Sequence, residues 1–188
     1  MAPRKQQEIF QATLAQLAER GYEGLTVEGV AERSGVNKTT IYRWWPSKAA
    51  LLAAALVEAD TLAMEAPDTG SLRGDLEALV RGIAALLTRP PAADVAVAAL
   101  GAAVHHPELA ETARRFFADR FAREEQIFER ARRRGELRED ADPMLITDLL
   151  GGAVWLRTVF RGLPLDEGFA AEAVRTVLDG SAPARSPA

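Results

Sequence analysis

Residues 25–52, with the sequence LTVEGVAERSGVNKTTIYRWWPSKAALL, place three short helical patterns within 28 residues. The first pattern repeats apolar residues at the spacing of one helix face, namely Leu25, Val27, Val30 and Ala31. Ser34-Gly35 then predicts a turn, and Asn37 is a suitable N-cap for a second helix whose buried side carries Ile41. Two short helices joined by a three- or four-residue turn with a glycine form a helix-turn-helix.

The second helix of this motif displays polar and basic side chains. Lys38 and Thr39 lie on its first turn, which is the part that enters the DNA major groove in such motifs. Lysine and arginine donate to guanine O6 and N7, and a threonine methyl group contacts thymine. We therefore predict that Lys38, Thr39 and Arg43 read base edges. The alternative is that they are ordinary solvated residues of a short helix.

A second group of side chains has the chemistry of phosphate contacts. Hydroxyl, phenol, indole and ammonium groups donate hydrogen bonds to phosphate oxygens without reading sequence. This predicts phosphate contacts by Thr40, Tyr42, Trp44 and Lys48, although Trp44 could instead stack on a sugar. Thr26 is a helix cap that could also place the free N–H groups of its helix against a phosphate.

The order of residues along this motif resembles the TetR family of bacterial transcriptional regulators. It reads Thr-Thr-Ile-Tyr, two further residues, Trp45, Ser47, Lys48 and a leucine pair, and the resemblance covers roughly residues 8–56. The resemblance implies an all-α homodimer in which a C-terminal domain binds a small molecule and controls two DNA-reading heads. It also implies that Tyr42 and Lys48 hold phosphate and that Trp45 is buried between the first, third and fourth helices.

The distribution of charge is consistent with a DNA-binding head at the N-terminus. The whole chain has a net charge of −4, which by itself argues against a nucleic-acid partner. Residues 1–50, however, contain 7 basic and 5 acidic side chains, whereas residues 51–188 contain 16 and 22. The basic excess therefore coincides with the motif, and the acidic remainder would be repelled by phosphates.

Hydrophobic content of 48%, abundant alanine and the absence of alternating valine-rich runs predict an all-α fold of about nine helices. The chain divides into a three-helix DNA-binding head at residues 1–50, a larger helical ligand-binding and dimerisation domain at 51–180, and a disordered tail at 181–188. Apolar spacing and helix breaks predict helices at about 4–20, from 26, 38–44, 47–65, 71–89, 92–104, 107–134, 143–161 and 165–179.

The C-terminal helices supply candidates for an effector pocket and a dimer interface. Most of their aromatic residues belong to a core, but some line a largely apolar cavity of the kind found between helices of bundles. The pocket candidates are Phe117, Phe121 and Trp155. Apolar stripes on the last two helices predict a dimer interface that includes Leu149, Ala153, Leu156, Val174, Val177 and Leu178.

Two polar clusters are interpreted as surface features. The run RARRRGELRED at residues 130–140 ends a long helix, where cations interact favourably with the helix dipole, and we interpret it as a solvated helix terminus. His105 and His106 point about 100° apart on a helix and have no third ligand nearby, so they predict a surface pair and not a metal site.

The sequence offers little for catalysis or for a membrane. There is no cysteine, glycine-rich phosphate loop or distinctive carboxylate pair, so neither an enzyme nor a cofactor is predicted. No apolar signal core or membrane-length apolar run is evident, which indicates a cytoplasmic protein. We expect a ligand-responsive regulator, most often a repressor in this family, that binds a palindromic double-stranded operator and a largely apolar effector. The alternative is a helical enzyme or a lipid or small-molecule carrier with a merely structural N-terminal bundle.

Overall fold

The computed structural model describes residues 5–58 and 60–179, and over these ranges it is helical without strands. Within the described residues there are nine α-helices: α1 (Gln6–Gly24), α2 (Val27–Ser34), α3 (Lys38–Trp44), α4 (Lys48–Glu58), α5 (Leu72–Thr88), α6 (Ala92–Ala103), α7 (Pro107–Arg134), α8 (Pro143–Trp155) and α9 (Phe169–Asp179). A 3₁₀ turn at Asp60–Leu62 follows α4, and a π turn at Leu156–Phe160 follows α8. The predicted all-α class is confirmed. The predicted tail at residues 181–188 lies outside the described residues.

Some helix limits differ from the predicted ones. The fourth helix ends at Glu58 and not near residue 65. A 3₁₀ turn follows it, and this turn carries the buried Leu62. The last helix begins at Phe169 and not at 165. The first helix, predicted at about 4–20, is interrupted at Gly21, which adopts the left-handed φ of 67°, yet helical hydrogen bonding resumes as far as Gly24.

The chain divides into two compact units, Met1–Met64 with Leu86–Arg120 and Glu65–Ala85 with Phe121–Ala188. In the first unit, α1 packs against α2, α4 and α6. Its core consists of fully buried apolar side chains, among them Ile9, Phe10, Leu17, Val30, Ile41, Leu51 and Leu52. Trp45 is half-buried, and its ring meets the ring of Phe10 edge-on at 5.3 Å. The predicted functional boundary between residues 50 and 51 stays a prediction.

The second unit is built around apolar residues from α5, α7, α8 and α9. Its fully buried side chains include Leu76, Val80, Ile127, Phe128, Leu150, Val154 and Val174. A polar cluster also lies in this unit, since the completely buried Asp75 accepts hydrogen bonds from the backbone N–H and the hydroxyl of Thr69 at 2.5 and 2.8 Å. Arg130 and Arg134 approach the other oxygen of Asp75 at 3.8 and 3.7 Å.

The run of arginines at the end of α7 is therefore only partly the solvated terminus that its sequence predicts. Arg132 and Arg133 are exposed, but Arg130 donates to the carbonyl oxygen of Pro67 and lies 3.4 Å from the Asp68 carboxylate. The prediction fails for Arg130 because its partners precede it by some 60 residues and have no local signature. The contacts of Arg130 with Pro67 and Asp68 connect the loop before α5 to the end of α7.

One helical stretch in the described part of the chain is long and apolar enough to cross a membrane. It runs from Pro143 to Phe160, with a mean hydropathy of 1.2, and only 17% of it is buried. This corrects the prediction that no apolar run approaches such a length. The same stretch contains Leu149 and Leu156, the exposed members of the predicted dimer interface. A dimer interface would therefore account for its apolar surface without a membrane.

Candidate nucleic-acid interface

The start of α2 is fixed by a cap and by a close backbone approach. The Thr26 hydroxyl accepts a hydrogen bond from the Gly29 N–H at 3.1 Å, as predicted for an N-cap. The Thr26 N–H donates to the side-chain oxygen of the buried Gln16 at 3.3 Å. A Cβ on Gly29 would lie 2.5 Å from the Gln16 amide nitrogen, so any larger residue here would require the Gln16 side chain to move. Thr26 itself is exposed.

The turn between α2 and α3 is short and satisfies its own backbone. Gly35 has a left-handed φ of 64°, which suits glycine, and its N–H donates to the Glu32 carbonyl oxygen at 3.4 Å. The Val36 N–H donates to the Ala31 carbonyl oxygen at 3.1 Å, which closes the end of α2. Asn37 then caps α3 by accepting from the Thr39 N–H at 2.9 Å. The predicted helix-turn-helix geometry is thus present.

Helix α3 is anchored on one side and open on the other. Ile41 is fully buried, whereas Lys38, Thr39, Tyr42, Arg43 and Trp44 are exposed, and Thr40 is half-buried. A surface depression is lined by Thr39, Thr40, Tyr42 and Arg43. Donor groups and an aromatic ring therefore lie together on one exposed face. All the predicted base-edge residues are exposed, and Thr39 and Arg43 line the depression.

Lys38 is paired within the head. Its ammonium nitrogen lies 3.6 Å from a carboxylate oxygen of Glu28 on α2, and both side chains are largely exposed. Arg43, by contrast, forms no ion pair with any residue that the structure describes. The two predicted base-reading cations therefore differ in how firmly they are restrained.

Lys48 is the most restrained of the predicted phosphate contacts. It is the first residue of α4, a helix capped by the Ser47 hydroxyl, which accepts from the Ala50 N–H at 3.1 Å. The Lys48 ammonium donates to the Tyr22 carbonyl oxygen at 2.9 Å and lies 4.2 Å from the centre of the Tyr22 ring. The side chain is half-buried, so the ammonium is placed by the protein before any phosphate arrives.

The sequence did not predict the residues that surround Lys48. Tyr22 is buried, and its ring meets the His106 ring edge-on at 4.5 Å. His106 is half-buried and 3.0 Å from a Glu23 carboxylate oxygen, so of the predicted surface pair only His105 is exposed. Burial, then the charges of Glu108 and Glu23, raises the pKa of Tyr22 above its usual value. No local signal reveals this cluster, because it joins residues more than 80 positions apart.

The candidates in the C-terminal helices differ in exposure. Leu149 and Leu156 are 53% and 54% exposed, while Ala153, Val177 and Leu178 are half-buried. Val174 is fully buried within the chain and offers no surface to a partner, because its side of α9 faces the core of its own unit. The pocket candidates Phe117, Phe121 and Trp155 are all half-buried.

Two family models match the chain. Residues 9–55 match the model described as bacterial regulatory proteins of the tetR family, and residues 66–177 match the tetracyclin repressor-like C-terminal domain. The second match alone covers more than half of the chain. The chain belongs to the TetR family. It is accordingly a helix-turn-helix transcriptional regulator, and its N-terminal bundle is not the merely structural one of the alternative prediction.

Individual TetR-family proteins are similar over almost the whole regulator. The HTH-type transcriptional regulator YdeS of Bacillus subtilis is 32% identical over 173 residues, which is 92% of this chain and 87% of YdeS. The DNA-binding transcriptional repressor TetR of Mycobacteroides abscessus is 34% identical over 90% of both chains. Among solved structures, the TetR family transcription regulator SCO0332 is 37% identical, with a TM-score of 0.75 over 96% of this chain and 100% of that one.

Proposed function

We propose that this regulator is a cytoplasmic repressor that binds a near-palindromic operator as a homodimer and releases it when a small molecule binds the C-terminal helices. The observation that carries the proposal is the open face of α3, with Lys38, Thr39 and Arg43 exposed beside Tyr42. Side chains of these types read base edges and hold phosphates in the major groove. The capped turn before α3 gives this face a fixed orientation.

The proposed assignment of side chains follows their chemistry and exposure. Lys38, Thr39 and Arg43 contact base edges, while Tyr42, Trp44 and Lys48 donate to phosphates. Thr40 on α3 and Thr26 at the start of α2 contribute further phosphate contacts. Trp44 is 40% exposed, and this exposed surface supports a place for it against the DNA backbone.

A second copy of the chain is the proposed occupant of the apolar surface on α8. Met144, Leu145 and Phe160 are 57%, 55% and 76% exposed, in addition to Leu149 and Leu156. An apolar patch of this kind is unfavourable in water, and two recognition helices are needed to bind two half-sites. A dimer through this surface meets both requirements, with Ala153, Val177 and Leu178 at its margin.

The effector is proposed to bind among the C-terminal helices, near Phe117, Phe121 or Trp155. These half-buried aromatic side chains suit a largely apolar ligand. A ligand lowers operator affinity only if it binds better to a conformation in which the two heads no longer fit both half-sites. Two similarities support this part of the proposal: the match of residues 66–177 to the tetracyclin repressor-like C-terminal domain, and the similarity to the repressor TetR of Mycobacteroides abscessus.

An electrophoretic mobility-shift assay tests the proposal. The purified regulator is titrated onto DNA from immediately upstream of its own gene and onto a random duplex of the same length and base composition. We expect a discrete complex on the upstream DNA that survives a salt concentration at which the random duplex is released. The triple variant with Lys38, Thr39 and Arg43 replaced by alanine is the control. If it retained sequence preference, α3 would not be the reading element.

A further inference from the structure

Tyr22 lies between Lys48 and the junction of α6 and α7. On one side, its carbonyl oxygen and its ring both contact the Lys48 ammonium, at 2.9 Å and 4.2 Å. On the other side, its ring meets the ring of His106, which directly precedes α7. A single buried residue, Tyr22, thus contacts both Lys48, a predicted DNA contact, and the junction of α6 and α7 in the same unit.

Local backbone geometry holds Tyr22 in this place. The left-handed φ of Gly21 interrupts α1 and turns Tyr22 into the interior. The Tyr22 carbonyl oxygen accepts from the Leu25 N–H at 3.3 Å as well as from Lys48. The carbonyl is therefore shared between the loop before α2 and the start of α4, and a rotation of Tyr22 would disturb both contacts.

His106 is itself fixed by the helix junction. Its N–H donates to the Ala102 carbonyl oxygen at 3.1 Å, and its own carbonyl oxygen accepts from the N–H groups of Leu109 and Ala110 at 2.9 and 3.0 Å. Its imidazole is held by Glu23 at 3.0 Å and is 29% exposed. The ring cannot move freely, so a displacement of the junction displaces the surface on which Tyr22 rests.

We propose that Tyr22 and His106 are positioning residues for DNA binding, which hold the Lys48 ammonium where it meets a phosphate. The inference rests on the proposed contact between Lys48 and DNA. An ammonium on a four-carbon side chain loses rotamer freedom when it binds, and the Tyr22 contacts remove part of that freedom beforehand. His106 makes this restraint depend on the α6–α7 junction. Movement of the junction then lowers DNA affinity without altering any residue that touches DNA.

A double-mutant cycle on the full-length regulator tests this inference. His106→Ala, Lys48→Ala and the combined variant are titrated onto a random-sequence duplex, because phosphate contacts do not require the operator. We expect His106→Ala to weaken binding by about 3- to 10-fold when Lys48 is present. In the Lys48→Ala background, the same substitution should change the dissociation constant by less than about 2-fold, since the group that it positions is gone.

The neighbouring His105 provides a matched control. Its side chain is exposed and forms no hydrogen bond, ion pair or ring contact with any residue that the structure describes, so His105→Ala should leave binding unchanged. Circular dichroism and a thermal melt establish that each variant is folded. Should His106→Ala fail to fold, His106→Gln passes through the same cycle, because glutamine keeps a donor for Glu23 and removes the ring edge.

The outcomes separate this inference from the proposed function. An equal loss from His106→Ala with and without Lys48 would overturn the positioning role, because the two residues would then act independently. A loss from His105→Ala as large as that from His106→Ala would overturn it too. If Lys48→Ala alone left binding unchanged, the proposed phosphate contact would be wrong, and the inference would fail with it.

Discussion

The Lys38 ammonium lies 3.6 Å from the Glu28 carboxylate, across the turn of the helix-turn-helix. Glu28 is on the first turn of α2, and Lys38 is on the first turn of α3. Both side chains are largely exposed, so the pair contributes little to the stability of the head. The pair instead bears on DNA recognition, because the Glu28 carboxylate attracts Lys38, the residue that is predicted to donate to a guanine.

Lys38→Ala should reduce discrimination between sequences. We expect a loss of about 1–3 kcal/mol on the operator and little loss on random DNA, because a base-edge hydrogen bond is lost. Competition titrations on both duplexes measure the difference. Glu28→Gln is the companion variant, and it should tighten binding to both duplexes because it removes a negative charge near the phosphates. A uniform loss from Lys38→Ala on both duplexes would place Lys38 among the phosphate contacts.

Lys48→Ala should weaken binding to the operator and to random DNA about equally. We also expect the plot of log affinity against log salt to become shallower by about one unit, because one fewer phosphate is neutralised. Arg138→Ala is the control, since this arginine is highly exposed and paired with Asp140 in the second unit. An unchanged salt dependence for Lys48→Ala would remove Lys48 from the phosphate contacts.

Tyr42→Phe should weaken binding to both the operator and the random duplex, without a change in the salt dependence of binding.

The head could be predicted from the sequence because its signals are local. Thr26, Gly35 and Asn37 act on backbone groups within five residues, and the structure has the caps and turn that they predict. The Tyr22–His106 contact and the burial of Arg130 could not be predicted, because their partners come from distant segments. The face of α9 that is buried could not be assigned either, since apolar residues lie on both its core and its outer sides.

Asp75→Ala should destabilise the second unit. The carboxylate is completely buried, and its removal takes away the acceptor of the Thr69 N–H and one of the two acidic partners of Arg130 and of Arg134. We expect a loss of about 2–4 kcal/mol in the free energy of unfolding, measured with urea. Glu77→Ala on the same helix breaks only a surface pair with Arg81 and should cost less than about 0.5 kcal/mol. Equal effects of the two substitutions would contradict a structural role for the buried cluster.

The Glu19–Arg33 pair should make the stability of the head depend on acid pH. Two hydrogen bonds of 2.7 and 2.8 Å from Arg33 lower the pKa of Glu19 below its usual value. Because the pKa is lower in the folded state, the stabilisation is complete above the normal carboxyl pKa and is lost as the pH falls through the folded pKa. Melting temperatures of the wild type and Glu19→Gln should therefore differ near neutral pH and converge in acid. A constant difference across that range would show that the ionised pair is not responsible.

Leu149→Glu should separate the proposed dimer into folded monomers. Leu149 is 53% exposed in the single chain, so a glutamate there does not disturb the core, but it would be buried without a partner at the interface. We expect a monomer in analytical ultracentrifugation, with an unchanged circular dichroism spectrum and weaker operator binding, because only one head can engage. Val97→Glu provides the control, since it places the same charge on an exposed valine of α6 that is not among the proposed interface residues. If Leu149→Glu stayed dimeric and bound the operator normally, the interface would lie elsewhere and the apolar stretch Pro143–Phe160 would need another partner.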